Sequence, residues 1–272
     1  MTSLRSTSVR AAAAAVLTFG ASALLLGQTQ APSALRPDER PLVAAVSQAN
    51  ESGVALLQRI VDINSGTLNL KGVRDVGQVL RAEFDALGFE TEWVDGAAWK
   101  RAGHLIARHA GGKGPTVLLI GHLDTVFEPD SPFQRFERVG DHEARGPGII
   151  DMKGGDVVIV QALKALKATG ALKDMNLTVV MTGDEEAPGR PLSVARKALV
   201  DAARGADVAI GFEDGPGDPR YAVTARRGTT QWRLAVTAQS AHSSQIFRDT
   251  IGPGAIYEVA RILNGFREKL AG

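Results

Sequence analysis

The sequence predicts an α/β fold, a mostly parallel, mixed sheet flanked by helices, and three observations predict it. Short apolar runs alternate with stretches of helical periodicity, the order expected of strands and helices that share one core. Glycine and proline clusters such as Gly111-Gly112-Lys113-Gly114-Pro115 punctuate the runs. Acidic and histidine residues collect just after the runs, where open α/β sheets form their ligand crevices.

The elements follow in order. Arg5 and Arg10 precede an uncharged apolar stretch over residues 11–26, and polar Gln28-Thr29-Gln30 follows, so residues 1–31 read as a secretory signal segment. An uncleaved amino-terminal anchor is the competing reading, although the run is short for a membrane span. Residues 32–40 read as a linker, and the folded body is expected to begin near Pro41. Val54, Leu57 and Val61, then Val73, Val76, Leu80, Phe84 and Leu87, recur in steps of three and four, each set putting an apolar stripe on a helix. Gly88 is placed to end the second. Strands are expected at residues 89–94, 105–107, 117–120, 177–181 and 208–210, and helices at 155–167 and 192–203. Residues 228–237 alternate, with Trp232, Leu234 and Val236 on one face, and predict a further strand. Ile256, Val259, Ile262, Leu263 and Phe266 predict a final amphipathic helix.

Composition narrows the function classes. With 272 residues, 44% hydrophobic and 22% charged, the chain has enough apolar residues for a sizeable core. Loss of the leader removes two of 31 basic residues and none of the 30 acidic ones, moving the formal charge from +1 to about −1. No basic stripe remains, so neither nucleic acid nor, after leader removal, a membrane is expected as partner. The absence of cysteine rules out disulfides and thiolate metal sites. Any metal must be held by carboxylate and imidazole.

Those groups are where a metal would need them. His122 and Asp124 lie just beyond the run 117–120 and two residues apart, so in extended chain they share a side. An isolated His-x-Asp is more often a loop hydrogen bond than a ligand pair, but its neighbours reverse that preference. Asp151 sits between Gly146-Pro147-Gly148 and Gly154-Gly155, on a tight turn before a helix. Asp184-Glu185-Glu186 closes the run 177–181, and three adjacent carboxylates repel one another unless positive charge lies among them. Glu213 repeats the placement after 208–210. Oxygen and imidazole donors suit zinc, cobalt or manganese, and an acid-rich set suits two ions sharing a bridge. Such a pair activates water for hydrolysis, with a further carboxylate as general base.

The motifs Gly121-His122-Leu123-Asp124-Thr125-Val126, Gly146-Pro147-Gly148-Ile149-Ile150-Asp151-Met152-Lys153-Gly154-Gly155, Thr182-Gly183-Asp184-Glu185-Glu186 and Phe212-Glu213 resemble those of the M20 family of zinc-dependent exopeptidases and amidohydrolases, particularly its glutamate carboxypeptidase type. The resemblance implies a zinc-exopeptidase-like catalytic domain over residues 41–225 and, over 226–272, the start of an inserted α+β lid used for dimerisation. It implies two Zn2+ ions: His122, Asp151 and Glu213 on one, with Asp151 bridging to a second that Glu186 also binds. Glu185 is then the general base and Asp124 orients His122. Ala241-His242-Ser243-Ser244 resembles the lid motif whose histidine reaches the substrate carbonyl, making His242 a candidate oxyanion donor. The implied substrate is a small peptide or N-acyl amino acid, the implied assembly a homodimer through the lid, and the implied location secreted or periplasmic. His104, His109 and His142 fall in no matching motif and are expected to be ordinary histidines.

Family members continue past the point matching Gly272, to a late histidine that completes the second zinc shell, so the chain is expected to be truncated. The intact motifs favour a fragment of an ordinary enzyme. The rival reading is a short, catalytically inactive exported module that binds metal or a partner.

Overall fold

The computed structural model describes residues 35–270 apart from 216, 219, 220, 226, 229 and 230. The predicted signal segment and the first part of the linker lie outside the described residues. The chain divides into two compact units, one ending at Asp214 and the other beginning at Gly215.

The first unit opens with helices α1 (Arg40–Gln48) and α2 (Asn50–Val61). Pro41 stands in the first turn of α1, where its missing N–H costs nothing. Helix α3 (Leu70–Leu87) buries Val73, Val76, Leu80, Phe84 and Leu87, the predicted stripe, and ends at Gly88 with φ +91°, a left-handed conformation that glycine adopts without strain. Strands β1 (Glu90–Asp95), β2 (Gly103–Ala110) and β3 (Lys113–His122) follow, then the small hairpin β4 (Glu137–Arg138) and β5 (Ala144–Arg145), helix α4 (Gly154–Ala168), strand β6 (Met175–Thr182), helices α5 (Leu192–Ala195) and α6 (Lys197–Arg204), and strand β7 (Val208–Gly211).

The main sheet has the order β1-β2-β6-β3-β7. Strands β6, β3 and β7 pair in parallel, while β2 runs antiparallel to both β1 and β6. Four of the five strands therefore point one way, in the mixed sheet expected. Side-chain alternation divides the strands between two apolar layers. Leu105, Ala107, Leu119, Val179 and Met181 join the core beneath α2, α3 and α4. Ile106, Leu118 and Val180 point the other way, to Ala198, Leu199 and Ala202 of α6. Burial on both faces explains why the central strands read as continuous apolar runs.

The expected helix over 192–203 is broken at Arg196 into α5 and α6. Arg196 leaves helical geometry at φ −95°, ψ 0°, and its guanidinium binds Asp184. The second unit contains α7 (Ala255–Leu270), the helix anticipated from its apolar spacing. Residues 231–237 form no strand, and this corrects the expectation drawn from Trp232, Leu234 and Val236. Alternation makes a strand only where a neighbour takes its backbone hydrogen bonds, and among the described residues of this unit none does. Trp232 instead stacks on Phe266 of α7, with ring centroids 5.4 Å apart.

Candidate metal centre

Register brings the predicted residues together. His122 at the end of β3 pairs with Thr182 at the end of β6, and Ile120 pairs with Gly211 at the end of β7. All three parallel strands finish at one edge, so the loops carrying Asp124, Glu185, Glu186 and Glu213 leave from the same place. Asp151 arrives from the turn before α4, whose start lies close against β7. A Cβ on Gly155 would come within 2.1 Å of the Phe212 carbonyl oxygen, so only glycine permits that approach.

His122 is buried and forms the floor. Its Nε2 lies 3.0 Å from Asp151 Oδ1 and 3.6 Å from Glu213 Oε1. His122, Asp151 and Glu186 each offer a donor atom within 4.8 Å of the others. Asp151 and Glu213 have partly solvated side chains, 58% and 42% exposed, so the acids line an open rim above a dry imidazole.

Asp124 is fully buried and ties three segments together. Its carboxylate accepts a hydrogen bond from Thr67 Oγ1 at 2.6 Å and from the backbone N–H groups of Glu185 and Glu186 at 3.0 and 3.2 Å. The nearest Asp124 atom to His122 Nδ1 is its carbonyl oxygen, at 3.0 Å, with the carboxylate at 3.5 Å. Asp124 thus faces His122 on one side and fixes the Glu185-Glu186 backbone on the other.

The cluster is electrostatically set for a cation. Burial works against a charged His122, but the nearby carboxylates of Asp124 and Glu213 overcome it and raise the imidazole pKa to about 12. Desolvation first, then the charge of Asp151, pushes Glu186 up to about 7. Glu185 is raised as well, chiefly by desolvation. Asp156, fully buried in the first turn of α4, is raised well above the ordinary range, again by desolvation, and neither carboxylate oxygen has a protein partner. Without a cation, Glu186, Glu185 and the buried Asp156 are all shifted towards their protonated forms. A divalent ion would supply positive charge, and the imidazole and carboxylate donors suit zinc, cobalt or manganese.

Asp184 does not join the cluster. Its carboxylate is fully buried and receives Arg196 Nη1 at 2.5 Å and Gly189 N–H at 2.8 Å. The positive charge among the three adjacent acids therefore includes a protein guanidinium. His242 belongs to the second unit, where its Nδ1 faces the Ser244 hydroxyl at 2.9 Å. Thr67, Arg196 and Lys153 were missed in the sequence. Lys153 is buried and donates to the carbonyls of Ile60 and Ile63, fastening the Asp151 turn to the end of α2.

Carboxylates converging on an imidazole at the open edge of an α/β sheet define a class of site, one with donors suited to a divalent metal. Residues 118–260 match the family described as peptidase family M20/M25/M40, more than half of the chain, and the protein belongs to that family. It is 28% identical over 255 residues to Carboxypeptidase G2 of Pseudomonas sp. (strain RS-16), covering 93% of this chain and 58% of the relative. It is 28% identical over 225 residues to a probable succinyl-diaminopimelate desuccinylase of Staphylococcus aureus (strain MRSA252), covering 80% of this chain and 51% of that protein. The chain thus spans a little over half the length of these relatives. In fold it is similar to human carnosine dipeptidase 1, with a TM-score of 0.52 and 21% identity over 63% of this chain and 40% of that one. The di-peptidase Dug1p of Saccharomyces cerevisiae gives a TM-score of 0.54 at 16% identity, with the same coverage.

Proposed function

We propose that the protein is an exported two-zinc hydrolase of peptides or N-acyl amino acids, cutting the amide bond next to a carboxylate-bearing residue. The observation that carries the reading is the convergence of His122, Asp151 and Glu186, with Glu213 beside His122, at one sheet edge. The carboxypeptidase and desuccinylase names of its relatives support the substrate class. The apolar leader after Arg5 and Arg10 supports export, and amino-terminal sequencing of the exported product tests it.

In this reading His122, Asp151, Glu186 and Glu213 would hold the metal. Bound there, the metal would supply Lewis acidity for activating water and polarising a carbonyl. Glu185 takes the proton of the attacking water and passes it to the leaving amine, a task suited to a carboxylate whose pKa is raised by desolvation. Asp124 keeps Glu185 and Glu186 in place through their backbone N–H groups. His242 donates to the substrate carbonyl as charge develops there, and the second unit serves as a dimerising lid.

Hydrolysis of an N-acyl glutamate, with metal content measured on the same sample, tests the reading. Glu185→Gln is expected to abolish turnover while zinc stays bound. Retained turnover would remove Glu185 as the base.

A further inference from the structure

We propose that His104 is a positioning residue for the loop that carries Glu185 and Glu186. The proposal rests on the metal-centre reading above for its functional meaning, but its geometry stands apart from it.

His104 lies on β2 and is fully buried. Its Nδ1 faces the N–H of Gly183 at 3.2 Å, and its Nε2 faces the carbonyl oxygen of Ala195 at 2.7 Å. A backbone N–H only donates and a carbonyl only accepts, so the two partners fix the ring as neutral, with its proton on Nε2. Gly183 immediately precedes Asp184, Glu185 and Glu186, and Ala195 closes α5 immediately before Arg196. One imidazole therefore pins both ends of the segment 183–195.

The surrounding contacts make the pin rigid. Trp99 stacks on the His104 ring, with centroids 5.1 Å apart and planes 29° from parallel. A Cβ at Gly183 would come within 2.3 Å of the Gly103 carbonyl oxygen, so the loop lies directly against β2. Arg101 Nε donates to the Ala187 carbonyl at 2.7 Å. Arg196 returns from the far end to Asp184, binding its carboxylate and its carbonyl. The segment 99–104 is thus a platform beneath the acidic loop, and His104 is its one side chain bonded to both ends. Groups that orient metal ligands from behind change metal affinity about 10- to 100-fold when removed. His104 acts on Glu186 in that way, through the backbone.

The test compares the wild-type chain with His104→Phe and His104→Gln. Phenylalanine keeps a ring against Trp99 and loses both hydrogen bonds; glutamine keeps one donor and one acceptor. Hydrogen exchange on the metal-free proteins should show faster exchange over residues 183–190 in His104→Phe, with protection recovered in His104→Gln and the rest of the unit unchanged. Zn2+ affinity should fall about tenfold or more in His104→Phe, with a changed Co2+ absorption spectrum, and recover in His104→Gln. Unchanged exchange in 183–190, or uniform loss of protection across the unit, overturns the proposal. So do wild-type Zn2+ affinity and Co2+ spectrum in His104→Phe. A wild-type chain that binds no Zn2+ overturns the metal centre instead, and exchange still decides whether His104 pins the loop.

Discussion

Asp124 sits at the centre of the polar contacts around the site: Thr67 from the loop after α2, His122 at the end of β3, and Glu185 and Glu186 after β6 all meet it. Thr67→Val keeps the shape of the side chain and removes the hydroxyl donor to this buried carboxylate. A hydrogen bond to a charged group contributes about 1.5–3 kcal/mol, so chemical denaturation should show a loss of that size, and a change within about 0.5 kcal/mol would contradict the role. His122 is one source of pH dependence, and Glu186, raised to about 7 chiefly by desolvation, is another. The pKa of His122 rises from 6.5 to about 12 in the metal-free fold, so the stability this residue contributes is complete below about pH 6.5 and drains away as the pH rises towards 12. Zinc requires the neutral ring, so uptake at pH 7 should release protons and zinc affinity should rise with pH. Calorimetry in buffers of different ionisation enthalpy checks this, and a heat of binding independent of buffer would contradict it.

At the scale of elements, the junction of α5 and α6 has a definite electrostatic purpose. Arg196 interrupts the helix to neutralise Asp184, which is fully buried. Arg196→Met should leave that carboxylate without its counter-charge and cost about 3 kcal/mol or more, read from urea unfolding; a loss under about 1 kcal/mol would show that Asp184 is satisfied without it. This junction also shows what sequence reading reaches. Strand ends are written locally, as an apolar run followed by a polar residue, so His122, Glu186 and Glu213 could be placed from the sequence at one sheet edge, while Asp151, on the glycine-bounded turn before α4, is grouped with them by its motif. Arg196 looked like one more position in a helical run, because its partner lies 12 residues away on another element. Thr67 and His104 meet their partners across 57 and 79 residues, and nothing in local spacing marks either. The failed strand at 231–237 has the opposite cause: its alternation was legible, but strand formation depends on a neighbour that local pattern does not specify.

At the scale of the whole molecule, the sheet does most to make the site, because three parallel strands ending in register deliver their loops to one edge. The converging side chains of His122, Asp151, Glu186 and Glu213 all belong to the unit that ends at Asp214, while His242 belongs to the other. Among the described residues no helix is long and apolar enough to cross a membrane. Family membership follows from residues 118–260, and the convergence of these side chains follows from the register of the sheet.

The most direct test is the zinc content of the purified 272-residue chain after exhaustive dialysis, beside Asp151→Asn. Tightly held zinc in the wild-type chain, lost or sharply reduced in Asp151→Asn with the fold intact, is the expected result. No retained zinc in the wild-type chain, or equal zinc in both, would contradict a metal centre built on His122, Asp151 and Glu186.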